Sequence, residues 1–196
     1  MVMRFCAIVC ASTALAACAA PAYVSPVEVT RFVGNAPQQL GSGTISLALA
    51  PGAEQSPNRA VYRQAVEEEL GALGYTVLPG GGMQVATLSL EQYVVDPDAE
   101  RRPVSVGGGA GVGSYGSGVG LGIGLDLTPR AAEQLDTLLS VAIRPAAGGA
   151  NLWEGRAQMI ASANSDYADQ TAAAARLADA LFAQFPGTSG ETTTVE

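Results

Sequence analysis

Gln134-Leu-Asp-Thr-Leu-Leu-Ser-Val-Ala-Ile-Arg144 runs into the turn Pro145-Ala-Ala-Gly-Gly-Ala-Asn151 and returns as Leu152-Trp-Glu-Gly-Arg-Ala-Gln-Met-Ile160. The fold is decided here. Leu135, Thr137, Leu139, Val141 and Ile143 fall on alternate positions, and successive strand side chains point to opposite sides, so all five share one face. On the return, Trp153, Ala157 and Met159 alternate with Glu154, Arg156 and Gln158. Two such runs around a glycine-bearing turn predict an antiparallel β-hairpin with one face in a core.

Working outward, the same period recurs. Val27-Glu-Val-Thr-Arg-Phe-Val33 predicts a first strand, and Gly43-Thr-Ile-Ser-Leu-Ala-Leu49 a second with Ile45, Leu47 and Leu49 on one face. Tyr75–Leu78 and Ala86–Val95 predict two more, the latter ended by Asp96-Pro97-Asp98. Between Leu49 and Tyr75, Ser56-Pro57 predicts a helix start, a hydroxyl cap with proline at the first helical position. Tyr62, Val66, Leu70 and Leu73 form its apolar stripe, and Gly74 stands where a left-handed cap closes it. The Glu67-Glu68-Glu69 run reads as its solvated side, because consecutive helical residues point about 100° apart and cannot converge.

A second helix is expected from about Asp166 to Phe185. Tyr167, Thr171, Ala174, Ala178, Leu181 and Phe185 line it, Leu177 and Phe182 widen the stripe, and Pro186-Gly187 stops it. Helix stripes and strand faces need each other. The expected class is therefore α+β, an antiparallel sheet of about five to seven strands with two helices packed mainly on one face. Residues 27–187 make that domain, and the tail 188–196, with no core-forming residue except Val195, is expected to be disordered.

Residues 107–124 interrupt it: Gly-Gly-Gly-Ala-Gly-Val-Gly-Ser-Tyr-Gly-Ser-Gly-Val-Gly-Leu-Gly-Ile-Gly. Gly111-Val-Gly-Ser-Tyr-Gly116 spells GxGxxG, but a phosphate cradle needs a helix opening directly after it. The chain continues instead into Gly alternating with Val, Leu and Ile, and no Gly-Lys-Ser/Thr is present, so no nucleotide is expected. Two readings stay open: a strand whose bare side admits close backbone approach, or a flexible loop.

The first residues specify an address. Arg4 precedes an uncharged run of 13 residues, Phe5 to Ala17, too short for the ~20 residues that span a bilayer. Leu15-Ala16-Ala17-Cys18 then resembles the bacterial lipobox. That resemblance implies cleavage between Ala17 and Cys18, a diacylglycerol thioether on the cysteine, and a palmitate-type acyl chain on its freed amine. Residues 1–17 are then the signal peptide, and 18–26 the acylated N-terminus and tether. Multiple chains give a lasting anchor, at about 0.8 kcal/mol per buried CH₂. Ala19, where an aspartate signals inner-membrane retention, implies the periplasmic face of the outer membrane.

Composition narrows the chemistry. Cleavage leaves nine arginines against 18 acids, net −9, with no lysine, which argues against nucleic acid and against docking on anionic lipid. The chain has no histidine, and its only cysteines are Cys6, Cys10 and Cys18. The first two leave with the leader and the third is alkylated. Imidazole- and thiol-based catalysis and the usual metal sites therefore have nothing to build on, and no cofactor or metal is expected. Carboxylate chemistry stays open, since a glycan hydrolase needs two acids about 5–10 Å apart. Glu91, Asp96, Asp98 and Asp126 are its candidates, although the Asp96–Arg102 stretch reads as a neutralised surface turn. An apolar-ligand carrier would need an enclosed pocket of roughly 300 Å³ or more.

The lipobox, the Asp-Pro-bounded strand before a glycine-rich span, Leu152-Trp-Glu-Gly-Arg-Ala157 and Asp179-Ala-Leu-Phe-Ala-Gln-Phe-Pro-Gly187 together resemble the DUF4136 lipoproteins, over about residues 26–187. That resemblance implies a cell-envelope lipoprotein and supplies no catalytic residue. The expectation is a non-enzymatic binding or support module, held to the membrane through Cys18 and serving an envelope protein partner.

Overall fold

The hairpin forms as the alternation dictates, with Leu139 opposite Ala157 and Ile143 opposite Trp153. The computed structural model describes residues 20–99, 104–113, 116–125 and 129–196. In chain order the strands are β1 (Val27–Val33), β2 (Thr44–Leu49), β3 (Thr76–Leu78), β4 (Gln84–Val95), β5 (Val104–Gly113), β6 (Gly116–Leu125), β7 (Gln134–Pro145), β8 (Trp153–Ser162) and β9 (Thr192–Val195). The helices are α1 (Arg59–Ala72) and α2 (Gln170–Phe182). Two compact units result. One comprises residues 22–95 and 133–196, and the other contains residues 96–132.

In the first unit seven strands make one sheet in the order β3-β2-β4-β7-β8-β1-β9. Val27, Val29, Ile45, Leu88, Leu139, Val141, Ile143, Trp153 and Ala157 are fully buried, and pack with Tyr62, Val66 and Leu70 of α1 and Leu177, Ala178 and Leu181 of α2. The class is α+β with both helices on one face, as the stripes require. The sheet is mixed rather than wholly antiparallel: β2 runs parallel to both β3 and β4. The helix α1 carries the chain back along β2, so the strand that follows it must run parallel.

β3 and β4 flank β2 at one level, Val77 and Gln84 both opposite Ile45, so the loop between them has to cross β2. Pro79-Gly-Gly-Gly82 makes that crossing. A Cβ on Gly82 would lie 2.6 Å from the Ser46 nitrogen and 2.8 Å from the Ile45 Cα, so only glycine lets the loop pass so close.

Gly155 answers a different need. On β8 it lies beneath the Trp153 ring, where a Cβ would overlap Cη2 and stand 2.7 Å from Cζ2 and 2.8 Å from Leu181 Cδ1. Gly155→Ala is expected to lower the unfolding free energy by about 1–3 kcal/mol, the usual range for overpacking, read as a lower urea midpoint at unchanged slope.

Both helices begin later than the sequence suggests. Ser56 Oγ does accept the Asn58 N–H at 3.3 Å, but α1 opens only at Arg59. Before α2, Asp166–Ala168 forms a 3-10 turn and Asp169 is the cap, its Oδ1 accepting the Thr171 N–H at 2.7 Å. Thr171, expected in the stripe, is exposed; Ala173, Ala174, Leu177, Ala178 and Leu181 form the buried face.

The tail is a second correction. Residues 192–195 pair antiparallel with β1, Val27 opposite Val195 and Thr30 opposite Thr192. Three β-branched threonines meet the unpaired backbone of an edge strand, and that needs no apolar core of its own. Gly190 N–H donates to the Arg31 carbonyl at 2.8 Å, and the Thr30 and Thr192 hydroxyls lie 2.7 Å apart.

In the second unit the glycine-rich span takes the strand reading. β5 and β6 form a two-stranded antiparallel sheet, Gly113 opposite Gly116. The register sets Val104 against Leu125, Val106 against Ile123 and Ala110 against Val119, while Gly107 meets Gly122, Gly109 meets Gly120 and Gly111 meets Gly118. Gly108 meets Leu121 and Val112 meets Ser117, so every second pair holds at least one apolar residue, and the pairs between them hold only glycine and Ser105.

Candidate functional site

The chain joins the sheet at Tyr23, before the first strand. Tyr23 N–H donates to Ser162 Oγ at 2.8 Å, and Ser162 N–H returns to the Tyr23 carbonyl at 2.8 Å. Val24 bridges to Ala161, Ser25 N–H donates to the Ile160 carbonyl at 2.8 Å, and Ile160 N–H donates to Ser25 Oγ at 2.9 Å. The stretch expected to be a free tether is thus stitched to the end of β8. Ser162 lies opposite Gln134, and Gln134 opposite Val95. The chain therefore enters the sheet at the same end at which it leaves β4 and later re-enters β7.

That end is apolar where a sheet edge normally is not. Tyr93 is 59% exposed, Val94 69%, Val95 42% and Tyr23 49%, four of the six large apolar residues that stand open to solvent among those described. The sequence signal was Tyr93-Val-Val95, where the alternation of β4 fails. Behind them, a cavity of about 160 Å³ is lined by Val94, Leu135, Ala161, Tyr167 and Gln170 among others. It is about half the volume that an apolar-ligand carrier needs.

Inside this end a polar cluster ties helices to sheet. Gln170 Oε1 accepts from Gln92 Nε2 at 2.8 Å, Asn58 Nδ2 at 3.2 Å and the Tyr62 hydroxyl at 3.3 Å, and Gln92 Nε2 reaches Thr137 Oγ1 at 3.3 Å. Burial pushes the Tyr62 phenol up to about 12, against the lowering effect of Thr137 and Gln92. A neutral, fully buried phenol with partners is a structural tie, not a proton-transfer group.

The side of the sheet away from the helices is open and mixed in character. A depression of about 390 Å³ runs over Thr87, Ser89, Glu91, Leu138, Ser140 and Arg156. Arg156 Nη2 meets Glu154 Oε1 at 2.7 Å, and Gln158 Nε2 spans both oxygens of Asp136 at 2.9 and 3.0 Å.

Of the candidate acids, Glu91 is exposed and accepts from the Tyr93 hydroxyl at 2.9 Å. Asp96 and Asp98 share one turn: Asp98 N–H donates to Asp96 Oδ1 at 2.9 Å, and Asp98 Oδ2 accepts the Ala131 N–H at 2.7 Å. Arg130 Nη2 lies 3.9 Å from Asp96 Oδ2. These two acids close the base of the β5–β6 segment. Asp126 lies outside the described residues, as do Ala17 and Cys18. In the acidic helical run, Glu67 pairs with Arg63 at 2.8 Å and Glu68 accepts from Gln64 at 2.9 Å. Glu69 has its carboxyl raised, first by burial and then by Asp179 and Glu68. The run splays as helix geometry requires. No group of three potential metal-ligating acids, cysteines or histidines occurs among the described residues, and no helix among them is long and apolar enough to cross a membrane.

The fold defines an α+β domain in which a mixed seven-stranded sheet carries two helices on one face. No protein-family model matches the chain, and no curated protein matches it. A PDZ domain protein from Parabacteroides distasonis has a similar structure, with a TM-score of 0.50 at 14% identity, over 88% of this chain. The chain spans only 38% of that structure's length. Two PelC dodecamer structures from Paraburkholderia phytofirmans align at TM-scores of 0.41 and 0.42 and 10% identity, over 79% of this chain and 93% and 94% of theirs. At these identities the likeness concerns the fold.

Proposed function

We propose that the chain is a cell-envelope lipoprotein, acylated on Cys18, and a non-enzymatic binding or support module for an envelope component. The observation that carries this reading is the order Leu15-Ala-Ala-Cys18 directly after an uncharged h-region. The DUF4136 resemblance points the same way, and Ala19 favours the outer membrane's periplasmic face.

The hydrogen bonds at Tyr23 give the anchor a length. Tyr23 is the fifth residue after Cys18, and an extended chain spans at most about 3.6 Å per residue, so the tether reaches about 18 Å. A domain on so short a lead stays against the bilayer and presents to it the end bearing Tyr23, Tyr93, Val94 and Val95. Aromatic side chains at that height sit favourably among lipid headgroups.

Mass spectrometry of the mature N-terminus with membrane fractionation tests the reading. Wild type should begin at a tri-acylated Cys18 and sediment with membranes; Cys18→Ser should keep its leader and lose every acyl mass. Unmodified, soluble wild-type protein starting after residue 18 would sink the reading.

A further inference from the structure

We propose that the β5–β6 hairpin enters the bilayer, where hairpins of neighbouring copies pair edge to edge into a closed transmembrane β-barrel. This goes beyond the lipoprotein reading and rests on it for the domain's closeness to the membrane. The first observation is length. β5 and β6 have 10 residues each, the number that a strand tilted in a bilayer needs, about 9–11. At about 3.4 Å per residue and a tilt of 35–45°, such strands stand about 24–28 Å tall, matching an apolar band of about 25 Å.

The second is composition at the register. From Val104 to Leu125 no Asp, Glu, Lys or Arg occurs, in a chain with 28 such residues. Alternate pairs are Val104–Leu125, Val106–Ile123, Gly108–Leu121, Ala110–Val119 and Val112–Ser117, and the pairs between them hold only glycine and Ser105. A period-two alternation that gathers the apolar residues on one set of positions provides the lipid-facing side that a barrel strand needs, with glycine and serine left for the other side.

The third is the unmet backbone. A two-stranded hairpin is marginal in water, and among the described residues β5 and β6 pair with no third strand, which leaves the outer edge of each without a ladder partner there. In hydrocarbon no water meets unpaired backbone groups, which rules out a lone hairpin and leaves closure as the solution. A second copy supplies the same ladder edge. Finally, the chain leaves β4 at Val95 and re-enters β7 at Gln134, the sheet end where Tyr23 enters and apolar residues stand exposed.

The test uses the full acylated chain in phosphatidylethanolamine/phosphatidylglycerol bilayers. Single cysteines introduced by Val106→Cys, Gly107→Cys, Gly122→Cys and Ile123→Cys carry an environment-sensitive fluorophore. Blue-shifted emission, quenched by spin-labelled lipid, is expected at 106 and 123 and not at 107 and 122. Planar bilayers of the same lipids should show stepwise conductance. The double substitution Val106→Asp/Ile123→Asp should abolish it while the protein stays vesicle-bound and keeps its Trp153 emission, which separates loss of the barrel from loss of the fold. Uniformly water-like emission, apolar emission shielded from the lipid quencher, or alternation without conductance would each overturn the proposal. The anchor reading is judged separately, by the acyl mass on Cys18, so either can fail alone.

Discussion

Arg31→Met is expected to lower the unfolding free energy by about 3–5 kcal/mol, because it strands two buried helix carbonyls. Arg31 is 2% exposed on the helix-facing side of β1. Its Nε donates to the Leu181 carbonyl at 3.0 Å, Nη2 to the Ala180 carbonyl at 2.7 Å, and Nη1 to Thr193 Oγ1 at 3.2 Å. The last carbonyls of a helix have no partner within it and carry the negative end of its dipole. One guanidinium therefore closes α2, ties the tail strand, and sets a positive charge where the helix favours one. Burial lowers its pKa from the usual arginine value, yet it stays charged at neutral pH. Methionine refills the volume of the stem but leaves both carbonyls dry and unpaired. Arg31→Lys should lose less, about 1–2 kcal/mol, since one ammonium cannot fork to three acceptors. Urea denaturation followed by tryptophan emission measures both, because Trp153 is the only tryptophan. A Met variant within about 1 kcal/mol of wild type would show that water reaches those carbonyls.

Trp153→Ala is expected to cost a similar amount, about 3–5 kcal/mol, with circular dichroism as the probe once the indole is gone. The ring is fully buried, stacked on Phe182 at 5.3 Å and 20° and tilted against Phe185 at 5.1 Å. Its Nε1–H donates to the Pro186 carbonyl at 2.9 Å. The truncation opens a cavity between β8 and α2 and frees the chain that leads into β9. Trp153→Phe keeps most of the apolar area and loses that hydrogen bond, so it should fall between the two. Equal losses for Phe and Ala would mean that the bond to Pro186, not the packing, carries the effect.

These two residues show what could be read in the sequence. The β7–β8 hairpin was legible because one face meets the core and the other meets solvent, which writes period two into the chain. Strand direction leaves no such mark: Ile45 and Leu47 alternate alike whether β2 runs parallel or antiparallel to its neighbours. Arg31 sits at an inward position of an otherwise clean alternation, and only the end of α2, some 150 residues away, gives it a reason. The tail strand escaped for the opposite cause. Thr192–Val195 is held by backbone pairing to β1 rather than by burial, and backbone groups are the same in every residue.

The site was legible in a different measure. Asp96 and Asp98 are recognisable as turn residues from Asp-Pro-Asp; Asp96 accepts within the turn, whereas Asp98 accepts from Ala131, a partner the local sequence does not reveal. The exposed end at Tyr93–Val95 could be suspected from three apolar residues in a row. That Tyr23 joins it could not, because the pairing spans 139 residues.

The stitching of Tyr23 and Ser25 to β8 also has a mechanical meaning. A pull on the chain ahead of Tyr23, directed along the strands, is passed to β8. The Tyr23, Ile160 and Ser162 N–H bonds and the Ser25 N–H bond then share it in shear, instead of opening one after another as in peeling. Such a pull thus loads the sheet through β8 before it can unravel β1.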